Sequence, residues 1–147
     1  MIAIDTNLLV YAHRSQIPEH TAACKTIERA AADPQGWGTT LTNLLEFWSI
    51  VTHASASGRP STPREASSFF ESLVREGNAR LWLPSAGFVQ RLMQLAVELK
   101  VSGTRVFDLA IALTAAEGGA REIWTHDERF VTIPGLAVKH PLREPYR

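Results

Sequence analysis

Met1 to Ile4 is an unbroken apolar run, and a short run of this kind directly before a polar break predicts a buried strand. Asp5 then marks the carboxyl end of that strand, and Thr6 to Ala12 continues at once as a helix. Pro18 suits the first turn of a second helix, Glu19 suits the positive end of its dipole, and the Ala-rich run through Ala32 stops at Asp33-Pro34. Trp37 to Thr40 is strand-like, and a helix follows from Thr42 to His53 with apolar Leu44, Leu45, Phe47, Trp48 and Val51. After a small-residue loop, Ala54 to Pro60, the run Thr62-Pro63-Arg64-Glu65 has the form of a capping box with proline at the first helical position, predicting a helix to Glu76. Arg80 to Leu83 alternates around Leu81 and Leu83 as a short strand, and Phe88, Leu92, Leu95 and Leu99 then recur at helical spacing. Val106 to Glu117 makes a sixth helix ended by Gly118-Gly119, Ile123-Trp124-Thr125 a further strand with Asp127 just past it, and Val138 closes the sheet. Strands alternating with helices predict an α/β fold in which a mostly parallel central sheet is covered on both faces. Functional sites in such folds gather beyond the carboxyl ends of the strands, where Asp5 and Asp127 both stand.

A chain of 147 residues suits one domain spanning 1–147. No stretch approaches the roughly 18 apolar residues of a membrane span, so no membrane association is expected. The opening Met1-Ile2-Ala3-Ile4-Asp5 has no cationic segment and places a carboxylate where a signal peptide is apolar. The single Cys24 cannot build a disulfide framework and reads as a small hydrophobe on a helix. Together these features predict a cytoplasmic protein. Fifteen cations balance fifteen acids, which argues against a globally basic nucleic-acid binder. Four Asp stand among those acids, Asp5, Asp33, Asp108 and Asp127, and three of them recur below.

Rotating the sixth helix by about 100° per residue puts Asp108 on one face with Ile111, Ala112, Ala115 and Gly119. A carboxylate on so small and apolar a face needs compensation, because burying it unpaired costs several kcal/mol or forces protonation. Arg105, one turn back, is one candidate partner, and a metal ion is the other. Glu46 shares its side of the third helix with Thr42, Asn43, Ser49, Ile50 and His53, a largely polar face able to line a groove. Two acids at strand ends and two on helices offer only oxygen donors, the ligands that Mg²⁺ and Mn²⁺ select, while the His and Cys spacing of zinc sites is absent. A site of this kind suits phosphoryl chemistry.

The order Ile4-Asp5-Thr6-Asn7, then Glu46, then Phe107-Asp108-Leu109-Ala110-Ile111-Ala112, then Thr125-His126-Asp127 with Phe130 resembles a PIN-domain nuclease over the whole chain. Within that family, the small size and the ending Pro134-Gly135-Leu136 with Pro141-Leu142 look like VapC toxins of toxin–antitoxin pairs. The resemblance implies a three-layer, Rossmann-like PIN domain and a Mg²⁺- or Mn²⁺-dependent endoribonuclease. It makes Asp5 and Asp108 the principal metal ligands and Asp127 a further direct or water-mediated one. Glu46 would orient the attacking water, with Thr6, Asn7 and Thr125 supporting the acids. It also implies an RNA substrate, a VapB-like antitoxin and a homodimer, for which Phe88, Leu92, Met93 and Leu95 offer surplus apolar surface.

Arg14, Arg59, Arg64 and Arg129 flank the predicted crevice loops and are the expected phosphate contacts. Alternation along the strand points His126 away from Thr125, and Trp37, Trp48, Trp82 and Trp124 read as core residues. A haloacid-dehalogenase-type phosphatase needs a second Asp where Asn7 stands, and an HD-type phosphohydrolase needs an all-helical setting. The alternative from another class is a non-catalytic PIN-like RNA-binding or scaffolding module. Such proteins usually lose motif acids, whereas all four are present in this chain.

Overall fold

The protein is described by a computed structural model over residues 1–56 and 58–143; Ser57, within the expected loop, and 144–147, the end of the expected domain, lie outside the described residues. In chain order the elements are β1 (Ile2–Ile4), α1 (Thr6–His13), α2 (His20–Ala31), β2 (Trp37–Thr40), α3 (Leu41–Thr52) and α4 (Pro63–Arg75). They continue with β3 (Arg80–Trp82), α5 (Phe88–Glu98), α6 (Arg105–Glu117), β4 (Glu122–Trp124) and β5 (Ala137–Lys139). The sheet runs β3-β2-β1-β4-β5, and every pairing is parallel. Strand order therefore reverses at β1, with β2 on one side and β4 on the other. The crevice beyond the carboxyl ends of two such strands is where ligands of open α/β sheets bind.

Alternation in β1 sorts the two cores. Ile2 and Ile4 face the side covered by α1, α2, α3 and α4 with Phe47, Phe70 and Trp37, while Ala3 faces the side covered by α5 and α6 with Leu109, Ala112 and Ile123. The small face of α6 is thereby explained: Ile111, Ala112 and Ala115 are fully buried against the sheet, and small side chains let the helix backbone come close. Asp108, one turn toward the amino end, emerges at the sheet's rim. Among the described residues, no helix is long and apolar enough to cross a membrane.

Three expectations need correction. The second helix starts at His20 rather than in the turn of Pro18, because the backbone first closes tight turns from Ile17 N–H to the Arg14 carbonyl and from His20 N–H to the Ile17 carbonyl. In β3, Leu81 and Leu83, the apolar positions that marked the strand, are exposed, and Trp82 between them is the residue buried. β3 is an edge strand, and its Trp82 indole fits over Gly118, where a side chain's first carbon would come within 2.4 Å of the ring. Filling that notch decides the register. On α5, Phe88 belongs to the core, and Leu92 and Leu95 pack against it; the residues facing solvent are Met93 with Val89 and Val97. Trp37, Trp82 and Trp124 are buried as expected, and the Trp37 indole N–H donates to the Gly77 carbonyl at 2.7 Å.

Candidate active site

Asp5 sits where β1 ends and α1 begins. Its backbone N–H donates to the Trp124 carbonyl at 3.0 Å, which fixes it against β4. As the N-cap of α1, its Oδ1 accepts the Thr6 N–H at 2.8 Å, a position favoured both by the helix's open donors and by its dipole. The same Oδ1 accepts from Asn43 Nδ2 at 3.1 Å, and Oδ2 accepts from the Thr125 hydroxyl at 2.7 Å. Three elements thus hold one carboxylate.

Two of those donors reach further. Asn43 Nδ2 also donates to the Thr6 hydroxyl at 2.9 Å, and that hydroxyl donates to Glu46 Oε1 at 2.7 Å. Thr125 Oγ1 accepts from Asn7 Nδ2 at 3.3 Å and from the Asp127 N–H at 3.0 Å, while Asn7 Oδ1 accepts the His126 N–H at 3.1 Å. Thr6, Asn7 and Thr125 therefore link three of the four acids, Asp5, Glu46 and Asp127, into one network. Asn43 escaped assignment from sequence. Its signal was the spacing Thr40-x-x-Asn43, which forms a capping box at the start of α3, with Asn43 Oδ1 accepting from the Thr40 N–H and hydroxyl at 3.0 and 2.8 Å.

Asp108 stands in the first turn of α6, half-buried. Arg105 does not close an ion pair with it; its guanidinium donates to the Arg129 carbonyl at 3.2 Å. Burial first, then the charges of Asp5, Asp127 and Glu46, push Asp108 up to about 7, with Arg105 only partly opposing them. Burial likewise pushes Asp5 up to about 6, against the hydrogen bonds from Thr125 and Thr6, with Glu46 and Asp127 adding to the rise. Asp5 and Asp108 thus both feel the charge of Glu46 and Asp127, and Arg105 offsets it at Asp108 only in part. Among the described residues no three His, Cys, Asp or Glu side chains converge within reach of a single ion. The donor set of Asp5, Asp108, Asp127 and Glu46 consists of carboxylate oxygens, the ligand type that Mg²⁺ takes.

The expected cations fare differently. Arg14 is buried at the far end of α1, with its guanidinium committed to the carbonyls of Arg59 and Val51, so it is a structural tether and not the phosphate contact expected. Arg59 pairs with Glu65 at 2.9 Å, and Arg64 lies exposed on the first turn of α4. α1 spans eight residues, about 12 Å at 1.5 Å per residue, and it separates this group from Asp5. Only Arg129 adjoins the acids, with its N–H donating to Asp127 Oδ1 at 2.8 Å. The His126 ring packs edge-on against Tyr11, 5.8 Å between centroids, with Nδ1 buried and without a hydrogen-bond partner among the described residues.

Comparison with known proteins agrees with this architecture. Ribonuclease VapC43 of Mycobacterium tuberculosis is 29% identical over 142 residues, covering 97% of this chain and 96% of that protein. Among solved structures, VapBC2 from Rickettsia felis bound to a DNA fragment from their promoter superposes with a TM-score of 0.65 at 21% identity, covering 95% of this chain and 98% of that one. VapC20 of M. tuberculosis, a Sarcin-Ricin loop cleaving toxin, gives 0.65 at 16% identity, over 88% and 92%. The family model for the PIN domain matches residues 2–136. With the four acids gathered where strand order reverses and nearly the full length matched, the chain belongs to the PIN domain family.

Proposed function

We propose that this protein is a divalent-metal-dependent endoribonuclease, the toxin of a toxin–antitoxin pair, built as one PIN domain over residues 1–147. The observation that carries this reading is the gathering of Asp5, Asp108, Asp127 and Glu46 at the sheet's switch point, where burial first and then the charges of the other three acids push Asp108 up to about 7. Its likeness to VapC ribonucleases supports RNA as the substrate. Asp5 and Asp108 would hold Mg²⁺ or Mn²⁺, with Asp127 bound directly or through water. When bound, such an ion acidifies water and neutralises phosphate oxygens.

Glu46, aligned by the Thr6 hydroxyl, orients the attacking water and accepts its proton. The water oxygen bonds to phosphorus, the bond to the 3′ oxygen breaks and that oxygen takes up a proton from solvent, so the products carry a 5′ phosphate and a 3′ hydroxyl. Thr125 and Asn43 hold Asp5 in one orientation, and the Arg129 N–H holds Asp127. Cleavage of total RNA with Mn²⁺ and with EDTA, followed by mapping of new 5′ ends, tests the reading. Metal-dependent 5′-phosphate ends are expected, and RNA bound but left intact in millimolar Mn²⁺ overturns the assignment in favour of a binding module.

The likeness to VapBC2 supports a VapB-like antitoxin as partner and a cytoplasmic place of action, where RNA substrate and antitoxin meet. A homodimer is also part of this reading. The surface suited to it is the line Val89, Met93 and Val97 on α5, exposed at 60%, 57% and 78%, since residues spaced by four share one helix face.

A further inference from the structure

Beside the acids, α3 presents Thr42, Leu45, Glu46, Ser49 and Ile50 along one face, and Phe107 of α6 stands opposite. Together they enclose a groove of about 440 Å³, within the range of small-ligand pockets. Leu45, Ile50 and Phe107 are 60%, 49% and 50% exposed, an unusual concentration of bare apolar surface at the mouth of a polar crevice. Glu46 belongs to both places: it forms a wall of the groove, and it is the carboxylate held by Thr6 in the acid network. Phe107 immediately precedes Asp108. The groove is thus continuous with the candidate active site.

We propose that this groove is a nucleobase subsite, in which the unpaired base next to the cleaved phosphate stacks on Phe107 between Leu45 and Ile50. The inference rests on the ribonuclease reading given above and names which part of the RNA that site reads. Its chemistry selects a base over the other parts of a nucleotide. Among the described residues Glu46 is the one charged group in the lining, so a phosphate is repelled, whereas a flat, uncharged ring gains contact with the aromatic and aliphatic walls. Thr42 and Ser49 supply hydroxyls that both donate and accept, so they can meet the polar edge of a base. The lining spans eight residue steps of α3, about 12 Å, which matches one nucleoside. An amphipathic partner helix needs anchors repeated over several turns of a longer trough. Single-stranded loops, where bases can be splayed onto aromatic side chains, are the RNA class such a subsite recognises.

The test compares wild-type protein with Phe107→Ala and Phe107→Trp on short single-stranded RNAs, in which each nucleotide around the cut is made abasic in turn. Phe107→Ala is expected to lower kcat/KM about tenfold, mainly through KM, as loss of one base stacked on an aromatic ring does, and Phe107→Trp to restore it. One abasic position should impose the same loss on wild type and no further loss on Phe107→Ala. In parallel, RNA carrying 2-aminopurine at that position is titrated with protein in EDTA, and its fluorescence should fall with wild type but not with Phe107→Ala. Equal cleavage and equal quenching by wild type and Phe107→Ala overturn the subsite while leaving the nuclease reading intact. A Phe107→Ala variant that keeps RNA cleavage but no longer binds the antitoxin assigns the groove to a protein partner and also overturns it. If wild type cleaves nothing, the nuclease reading fails, and the fluorescence titration alone decides whether the groove takes a base.

Discussion

Asn43 donates its amide to Asp5 Oδ1 at 3.1 Å across 38 residues of chain, while its own Oδ1 closes the capping box that starts α3. The device that begins a helix therefore also aims the central carboxylate of the candidate site. Asn43→Ala removes both functions. It is expected to lower stability by about 1–3 kcal/mol, the cost of leaving buried polar partners unmade, and to reduce kcat more than RNA affinity. Chemical denaturation with parallel cleavage kinetics checks this, and an Asn43→Ala protein with wild-type midpoint and wild-type kcat contradicts it.

Asp5→Asn and Asp108→Asn are each expected to lower metal-dependent cleavage by about 10²–10³, by analogy with the removal of one electrostatic group from an active site. Glu76→Gln, an exposed acid on the C-cap of α4, serves as the control and should leave the rate unchanged. Full Mg²⁺-dependent activity in either Asp variant would remove that residue from the site.

In EDTA the folded protein should become more stable as pH falls from 7 toward 4. Asp5 and Asp108 have folded values pushed up to about 6 and about 7 against an ordinary value of 3.8. Within that interval the folded state binds more protons than the unfolded one, so each unit rise in pH weakens folding. The destabilisation is complete above the folded values and vanishes below the unfolded one. Melting temperatures measured across this range check the sign, and a profile that rises steadily with pH from 4 to 7 refutes it.

Mn²⁺ in hundredfold excess over its Kd should stabilise the fold by about 2.7 kcal/mol if it binds only the folded state. For a chain of this length, that is a rise of several degrees in Tm. Asp108→Asn, which removes a repelled charge that no hydrogen bond holds among the described residues, should raise Tm in EDTA and shrink the gain from Mn²⁺. Coincident melting curves in EDTA and in millimolar Mn²⁺ for the wild type would show that the four acids do not form a metal site.

Met93→Glu with Val97→Lys should convert the expected dimer to a monomer without loss of fold, since both side chains face solvent and lie outside the core. Light scattering at tens of micromolar reads the mass. A wild-type protein that is already monomeric there sinks the dimer.

The sequence by itself determined what is local. Apolar runs and helical spacing located the strands and helices, the capping box at Thr62 appeared where expected with Pro63 at the first helical position, and a strand's end put Asp5 at the sheet's rim. These features depend on backbone dihedrals and on donors within a few residues, so the local pattern contains their cause. Recognition of the acids in order then needed no coordinates.

Tertiary structure decided whatever depended on which surfaces meet. The face that β3 buries follows from the notch at Gly118, 36 positions beyond Trp82 in the chain, and not from alternation alone. Arg14 is consumed by carbonyls of Arg59 and Val51, acceptors invisible to any reading of its neighbours. Thr125 and Asp5 lie 120 residues apart and meet at 2.7 Å because β1 and β4 pair in parallel. A side chain's hydrogen-bonding role is fixed by the donors and acceptors brought to it when distant elements pack. Sequence can therefore supply the acids of this site, and only the packed sheet assigns their partners and their charge.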